Sequence, residues 1–386
     1  MVAYIFWLIA LLFLSAQLLC IDAAWSAMDV ANDNVDYYGV KYYNESVAWA
    51  AGSSGATGVL SRSINGGLKF TTERISSTEI LTDVSLGTTV TSSTTYMHHI
   101  IIAGVNYHAA TYDDGDGILG VVVYSNDDFK TETIIRNSNF DFFIFGSSIA
   151  ESSVNSGSST ISIYVVGGLC SVASATGIGN SSPLTASTSW TKFNDVAGNQ
   201  AQLNGVGAYA DTHAIAVGAD STIIFTTNSG TTWTVATTIP DADGDTLYGS
   251  SMASTSIGAV CGNGGKVWKT IDSGVTWTSI IASSNYFGIY TSFKYHAISF
   301  LPSSTTVLFL MGADGAAGSS SAIFRNSDIS SDPTNNWQRE QIVQASLYSL
   351  AVYDDVYALA GTARGGGGVY IRTYDPSSAP SGQPSM

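Results

Sequence analysis

Positive charge is the first thing in short supply. The 386 residues hold 14 Lys and Arg against 30 Asp and Glu, a formal net charge of −16. A nucleic-acid partner needs a basic face that neutralises phosphates, so none is expected. The acids stand singly in loops rather than in a tail, which suits the surface of a β-rich protein. Cysteine is scarce too, with three in all, and Cys20 falls in an N-terminal apolar run. Cys170 and Cys261 belong to different repeat units, so two free buried thiols are expected rather than a disulfide framework. Proline numbers only 7. Beyond residue 25 no long stretch joins helical periodicity to helix formers, which excludes an α/β fold.

What remains is strand and turn material. Ser, Thr, Val, Ile and Tyr crowd into short runs punctuated by Asn, Asp and 39 glycines. That composition reads as all-β. The first residues, "MVAYIFWLIALLFLSAQLLC", form an apolar run at the extreme N-terminus. Residues 1–23 therefore read as a secretory signal peptide, which left uncleaved would act as a membrane anchor. Two acceptor sequons, at Asn44 and Asn180, fit a secreted or cell-surface glycoprotein.

The phrase "TTNSGTTW" at 226–233 returns as "TIDSGVTW" at 270–277. A period in the forties suits a four-stranded unit used repeatedly. Aligned on an apolar run that ends in Gly, seven units emerge, anchored at Gly52, Gly104, Gly167, Gly218, Gly262, Gly312 and Gly361. The steps between anchors are 52, 63, 51, 44, 50 and 49 residues. Each unit opens on a short apolar strand, such as "YYGVKYY", "FDFFIF" or "LYGSSM". Seven units of four strands predict a seven-bladed β-propeller over residues 24–376. The seventh unit stops at Pro376 without an outer strand. Trp25 precedes Gly39 by 14 residues, much as Trp233 precedes Gly249 by 16. The N-terminal segment is therefore expected to complete the last blade, which removes two open edges. Residues 377–386, "SSAPSGQPSM", read as the start of a Pro/Ser-rich linker or stalk.

The repeated phrase resembles the Asp-box, or bacterial neuraminidase repeat, Ser/Thr-x-Asp-x-Gly-x-x-Trp. Thr270, Asp272, Gly274 and Trp277 match it fully. Thr226, Asn228, Gly230 and Trp233 match with Asn for Asp, as do Ser63, Asn65, Gly67 and Phe70, which also carry Phe for Trp. In the second unit Asp128 is read where the glycine belongs. The repeat unit is most similar to that of the photosystem II stability/assembly factor group, and more distantly to sialidase and sortilin-type propellers. The resemblance implies a propeller whose boxes are turn clamps: the Asp or Asn accepts backbone N–H groups, Gly frees the backbone and Trp packs between blades. Boxes placed so would be structural, not catalytic.

Candidate chemistry is sparse. A sialidase needs an arginine cluster for the substrate carboxylate and a Tyr–Glu pair. Here Arg62, Arg325 and Arg372 fall in strands entering the box, Arg74-Ile75-Ser76 is the nearest approach to an Arg-Ile/Leu-Pro signature, and Glu is rare. Two loops alternate Asp with Gly as a Ca²⁺ loop does: Asp113-Asp114-Gly115-Asp116-Gly117, and Asp241, Asp243 and Asp245. Neither has the closing Glu, so ordinary turns are the expectation and no cofactor is required. His98, His99 and His213 read as strand-entry residues rather than metal ligands. Gly365–Gly368 reads as a hairpin turn, because no helix follows to hold a phosphate. The expectation is a monomeric, secreted, non-catalytic propeller that binds a glycan or protein ligand on a rim enlarged by loops around Tyr112 and Tyr286. An assembly-factor-like protein and a sialidase-like glycoside hydrolase are the alternatives.

Overall fold

The computed structural model describes residues 24–30, 34–76, 79–92, 95–106, 118–152, 159–179, 182–236, 239–240, 244–280, 293–302, 304–314, 321–331, 337–343, 345–362 and 369–373. The leader, the C-terminal segment, Asn180, Gly365–Gly368, Asp113–Gly117 and the residues around Tyr112 and Tyr286 lie outside them.

The described residues fold into 28 strands and two single-turn 3₁₀ segments. They form seven four-stranded antiparallel blades, a seven-bladed β-propeller. The inner strands are Asp36–Tyr42, Glu79–Ser92, Ile144–Glu151, Leu203–Tyr209, Leu247–Met252, Phe293–Phe300 and Leu347–Val352. Alternation of side chains along each strand divides its residues between the two faces of a blade. Blades stack face to face, so both faces must be apolar. Burial follows: seven apolar clusters form, one for each seam. Ile101 and Val122 of the second blade meet Ile161 and Ile163 of the third. Ile215 and Phe225 of the fourth meet Val260 and Trp268 of the fifth. Leu359 and Ile371 of the last meet Val40 and Phe70 of the first.

The strand Ala24–Val30 pairs antiparallel with Val369–Thr373, Ala24 opposite Thr373 and Met28 opposite Val369. Its last residues run parallel to the outer strand of the first blade, Asp29 opposite Lys69. One segment thus touches both sides of the seam between last and first blades.

Three details differ from the sequence reading. In the third blade the inner strand starts only at Ile144, near the end of "FDFFIF" rather than at its beginning. Phe140 and Phe142 precede it, fully buried, with Phe140 edge-on to Trp190 at 4.9 Å. The anchor of the seventh blade is Thr362, not Gly361. Thr362 pairs with Leu347 as Gly52 pairs with Tyr37. In the other blades the anchor lies under the carbonyl of the residue just before its inner-strand partner; a Cβ on Gly167 would stand 1.7 Å from Phe143 O. Finally, His98 and His99 lie inside Thr95–Asn106 rather than at its entry, because the second blade has unusually long strands.

Candidate functional site

Each inner strand carries one extra residue near its start. The register slips between Tyr37 and Gly39, Leu81 and Asp83, Ile144 and Gly146, and Leu203 and Gly205. It slips again between Leu247 and Gly249, Tyr295 and Ala297, and Leu347 and Ser349. These are β-bulges, devices that re-aim a side chain. The residue before each bulge is sealed in the core, from Tyr37 at 0% exposed to Tyr295 at 1%. The bulged residue itself is part-exposed in every blade. Seven of them therefore ring one end of the central channel: Tyr38, Thr82, Phe145, Asn204, Tyr248, His296 and Tyr348. The channel holds about 540 Å³ and every blade contributes to its wall.

The residue after each bulge meets the next blade's inner strand. Gly39, Gly146, Gly205, Gly249, Ala297 and Ser349 fill that position, all small. The contact is close: a Cβ on Gly205 would stand 2.4 Å from Tyr248 O. Asp83 is the exception. Its carboxylate accepts the Val84 amide at 2.8 Å, the Ser147 amide at 2.9 Å and the Ser147 hydroxyl at 3.1 Å. It therefore clasps the second blade to the third. Burial pushes this carboxyl up, against the lowering effect of Lys41 and of those hydrogen bonds.

The ring divides into two arcs. Thr82 donates to Ile144 O at 2.9 Å and Asn204 donates to Leu247 O at 2.8 Å. Both acceptors immediately precede the next blade's bulge, so these two side chains act as clips. Opposite them runs an aromatic arc. Tyr38 and Tyr348 lie 5.4 Å apart between centroids, Tyr348 and His296 6.0 Å, and His296 and Tyr248 4.9 Å. Burial, helped by the Lys294 charge, lowers His296 to about 4. It is neutral at pH 7. Burial raises Tyr38, Tyr248 and Tyr348.

The turns that match the repeated phrase lie at the other end of the blades. Thr226 pairs with Ala214 at the start of its partner strand, whereas the bulge lies beside that strand's end at Gly218. In the fifth blade the Thr270 hydroxyl donates to Asp272 at 2.8 Å and accepts the Gly274 amide at 3.0 Å. Asp272 also accepts the Thr276 amide at 2.8 Å. The fourth and first blades repeat this. Gly230 N donates to Thr226 at 3.0 Å and Thr232 N to Asn228 at 2.9 Å. Gly67 N donates to Ser63 at 2.9 Å and Lys69 N to Asn65 at 2.9 Å. Trp277 and Phe70 are buried at the seam with the preceding blade, and Trp233 meets Tyr164 of the preceding blade edge-on at 6.0 Å.

The second blade makes the same turn, which the sequence reading placed one residue out of step. The residue in the glycine's place is Phe129, not Asp128. Its amide donates to Ser125 at 2.9 Å while Thr131 N donates to Asp127 at 2.9 Å. Phe129 has φ 61°, and its ring lies 5.3 Å from Trp49 of the first blade.

Other sequence candidates are dispersed. Asp245 is paired with Lys266 at 2.6 Å, and Asp241 and Asp243 lie outside the described residues. Among the described residues no three His, Cys, Asp or Glu gather to hold a metal. His99 is buried between the Thr89 hydroxyl and the Tyr124 hydroxyl, 2.8 Å from each, and burial brings it to about 4. His98 meets the Tyr43 hydroxyl, and His213 opens its strand beside Thr212. Cys170 and Cys261 are free and buried. Asn44 accepts the Ser46 and Val47 amides, each at 2.8 Å, in a loop whose Ser46 carbonyl accepts Gly66 N. It belongs to the face opposite the bulges.

The ring itself was missed from sequence. Its signal was present: a large apolar residue, any residue, then a small one, as in Tyr37-Tyr38-Gly39, Leu203-Asn204-Gly205, Leu247-Tyr248-Gly249 and Tyr295-His296-Ala297.

No protein-family model and no curated protein sequence matches the chain. Solved structures do match in fold. YCF48 from Cyanidioschyzon merolae is 11% identical with a TM-score of 0.59, covering 91% of this chain and 99% of that one. YCF48 bound to a D1 peptide gives 12% and 0.58, covering 91% and 97%. Virginiamycin B lyase from Staphylococcus aureus, a catalytically inactive variant with quinupristin, gives 12% and 0.59, covering 90% and 99%. At such identities the likeness is one of propeller fold.

Proposed function

We propose that the protein is a secreted or surface-exposed binding module, not an enzyme, which takes a glycan or protein ligand at the bulged mouth of its channel. One observation carries this reading: seven re-aimed side chains, one from each blade, converge on a single opening. Tyr and Asn suit recognition, giving apolar area with hydrogen-bonding tips. Hydrolysis of a glycosidic bond ordinarily needs two carboxyl groups across the bond. Among the described residues lining the channel Asp83 is the sole carboxylate, and it is held by three hydrogen bonds. The boxes lie at the far face, where their side chains are spent on their own turns.

A second reading, a photosystem II assembly-factor-like protein that holds a peptide, is favoured by the fold shared with the peptide-bound YCF48. Against it, Arg62, Arg74, Arg136, Arg325 and Arg372 are each committed to a carboxylate. None of these five is therefore free to meet a carboxylate of a client peptide.

Glycan and peptide arrays, run beside a sialoside hydrolysis assay, test the proposal. Saturable binding without turnover is the expected result; turnover of the sialoside overturns it. Expression in a secretory host tests location. A glycosidase-sensitive mass shift at Asn44 or Asn180 is expected, and an unglycosylated product retained in a plastid overturns the secreted reading.

A further inference from the structure

We propose that the mouth is built for an uncharged saccharide, with a sugar ring stacked on the arc Tyr38–Tyr348–His296–Tyr248 and its hydroxyls bonded to the Tyr348 phenol and the His296 imidazole. The inference rests on the reading of the mouth as a recognition site and adds the ligand's chemistry.

Consider first where hydrogen-bonding capacity remains. Thr82 spends its donor, and Asn204 one of its two, on the next blade's carbonyl, and the Asn204 carbonyl accepts from Gln202. His296 and Tyr348 touch their neighbours through ring faces and edges, and neither makes a side-chain hydrogen bond among the described residues. Their polar atoms are therefore offered to whatever enters. Sugars present the complementary pair of surfaces, a C–H face for aromatic rings and a rim of hydroxyls for polar tips.

Charge decides against the competing ligands. None of the seven ring residues is charged at pH 7, since His296 titrates at about 4. A quaternary ammonium would be drawn to aromatic faces, but Asp83, the one carboxylate among the described lining residues, is turned into the seam with the third blade. An acidic sugar would need a guanidinium, and the described residues of the lining include no arginine. The lining's lysine, Lys41, already lends its charge to Asp83. A charged group seated on the arc would be desolvated without a counter-charge of its own, which is costly.

Depth sets the size. Two residues beyond the bulges of Tyr38, His296 and Tyr348, the lining residues Val40, Ile298 and Leu350 are buried, while Ser250, beyond Tyr248, donates to Ile215 O. The three apolar residues form a floor beneath the arc. The channel volume of about 540 Å³ lies within the range of about 300–1,000 Å³ usual for small-ligand pockets.

The test uses the whole chain on an array of neutral and sialylated glycans, with a peptide array beside it. Saturation-transfer NMR then follows the best glycan and tetramethylammonium chloride. A neutral glycan is expected to bind, and Tyr348→Ala to weaken it at least tenfold. Tyr348→Phe, which keeps the ring, should lose less than Tyr348→Ala. Thr227→Ala, on the far face, should change nothing. Preference for sialylated glycans, saturation by tetramethylammonium alone, or a neutral-glycan signal indifferent to Tyr348→Ala overturns the inference. A peptide whose binding falls with Tyr348→Ala, while no neutral glycan binds, removes the saccharide and keeps the mouth. Indifference of every ligand to Tyr348→Ala removes both.

Discussion

The hydrogen bonds of a single turn are set by one side chain with several acceptor sites. Asp272 gathers the Thr270 hydroxyl and both donors of Thr276. Desolvation pulls its pKa up, yet these bonds outweigh it and hold the carboxyl below its ordinary range. Asp272→Ala leaves the Thr276 amide without its acceptor. A loss of about 1–2 kcal/mol is expected in chemical denaturation, with ligand binding unchanged because the turn lies on the far face. An unaltered stability with lost binding would reverse the assignment of the turn as structural. The histidines make a separate pH prediction. His99 and His296, held near 4 by burial against an ordinary 6.5, bind a proton in the unfolded chain before they do in the folded one. Their contribution is therefore complete above about pH 6.5 and is lost as pH falls towards 4. Asp328, lowered to about 2 by the Ser330 and Ser331 hydroxyls, stands at the surface, and its screened charge adds little to the pH dependence of the fold. The melting temperature followed by circular dichroism should fall as pH drops from about 6.5 towards 4, and His99→Gln should flatten that fall.

At the scale of the element, the turn of the second blade shows how a rule read from sequence can be obeyed by the wrong residue. Left-handed backbone favours glycine, and at Gly67, Gly230 and Gly274 a Cβ would also press on the preceding blade at 2.8, 2.7 and 3.0 Å. In the second blade that space is filled by Phe129 instead, over Trp49. The left-handed strain costs about 1–2 kcal/mol, and burial of the ring with its aromatic contact returns a similar sum. Phe129→Ala keeps the strain and loses the ring, so a net loss of about 1–2 kcal/mol is expected in urea denaturation. If the variant is as stable as the parent, the Trp49 contact does not hold the turn. The fold was legible because its repeat is written in glycines and tryptophans whose spacing survives loop insertions. The anchor of the last blade was misplaced by one residue because Thr362 occupies the site and a glycine happens to precede it. The channel ring was harder to see. Bulges are marked by which residue is small, not by which is polar, and the seven residues they expose are of five different types.

For the whole molecule, stability depends on seven seams that must all be closed at once. Six of them join blades that follow one another in sequence. The seventh joins chain ends more than three hundred residues apart, and there Ala24–Val30 supplies five antiparallel partners to Val369–Thr373 and two parallel partners to the first blade. Without it the last blade has three strands and an open edge, a template for pairing with another chain. The apolar cluster of that seam, Val40, Ala50 and Phe70 against Leu359, Val369 and Ile371, would remain in sequence but lose the strand that spans it. Each lost ladder bond contributes about 0.5–1.5 kcal/mol. For a chain this long, several kcal/mol correspond to a fall of roughly 5–10 °C in melting temperature. Deletion of residues 24–30 is expected to lower the melting temperature by that amount and to produce self-association in size-exclusion chromatography. A deletion mutant that stays monomeric and melts with the parent would mean that the seam is held by side-chain packing alone and that the strand is an ornament on a ring already closed.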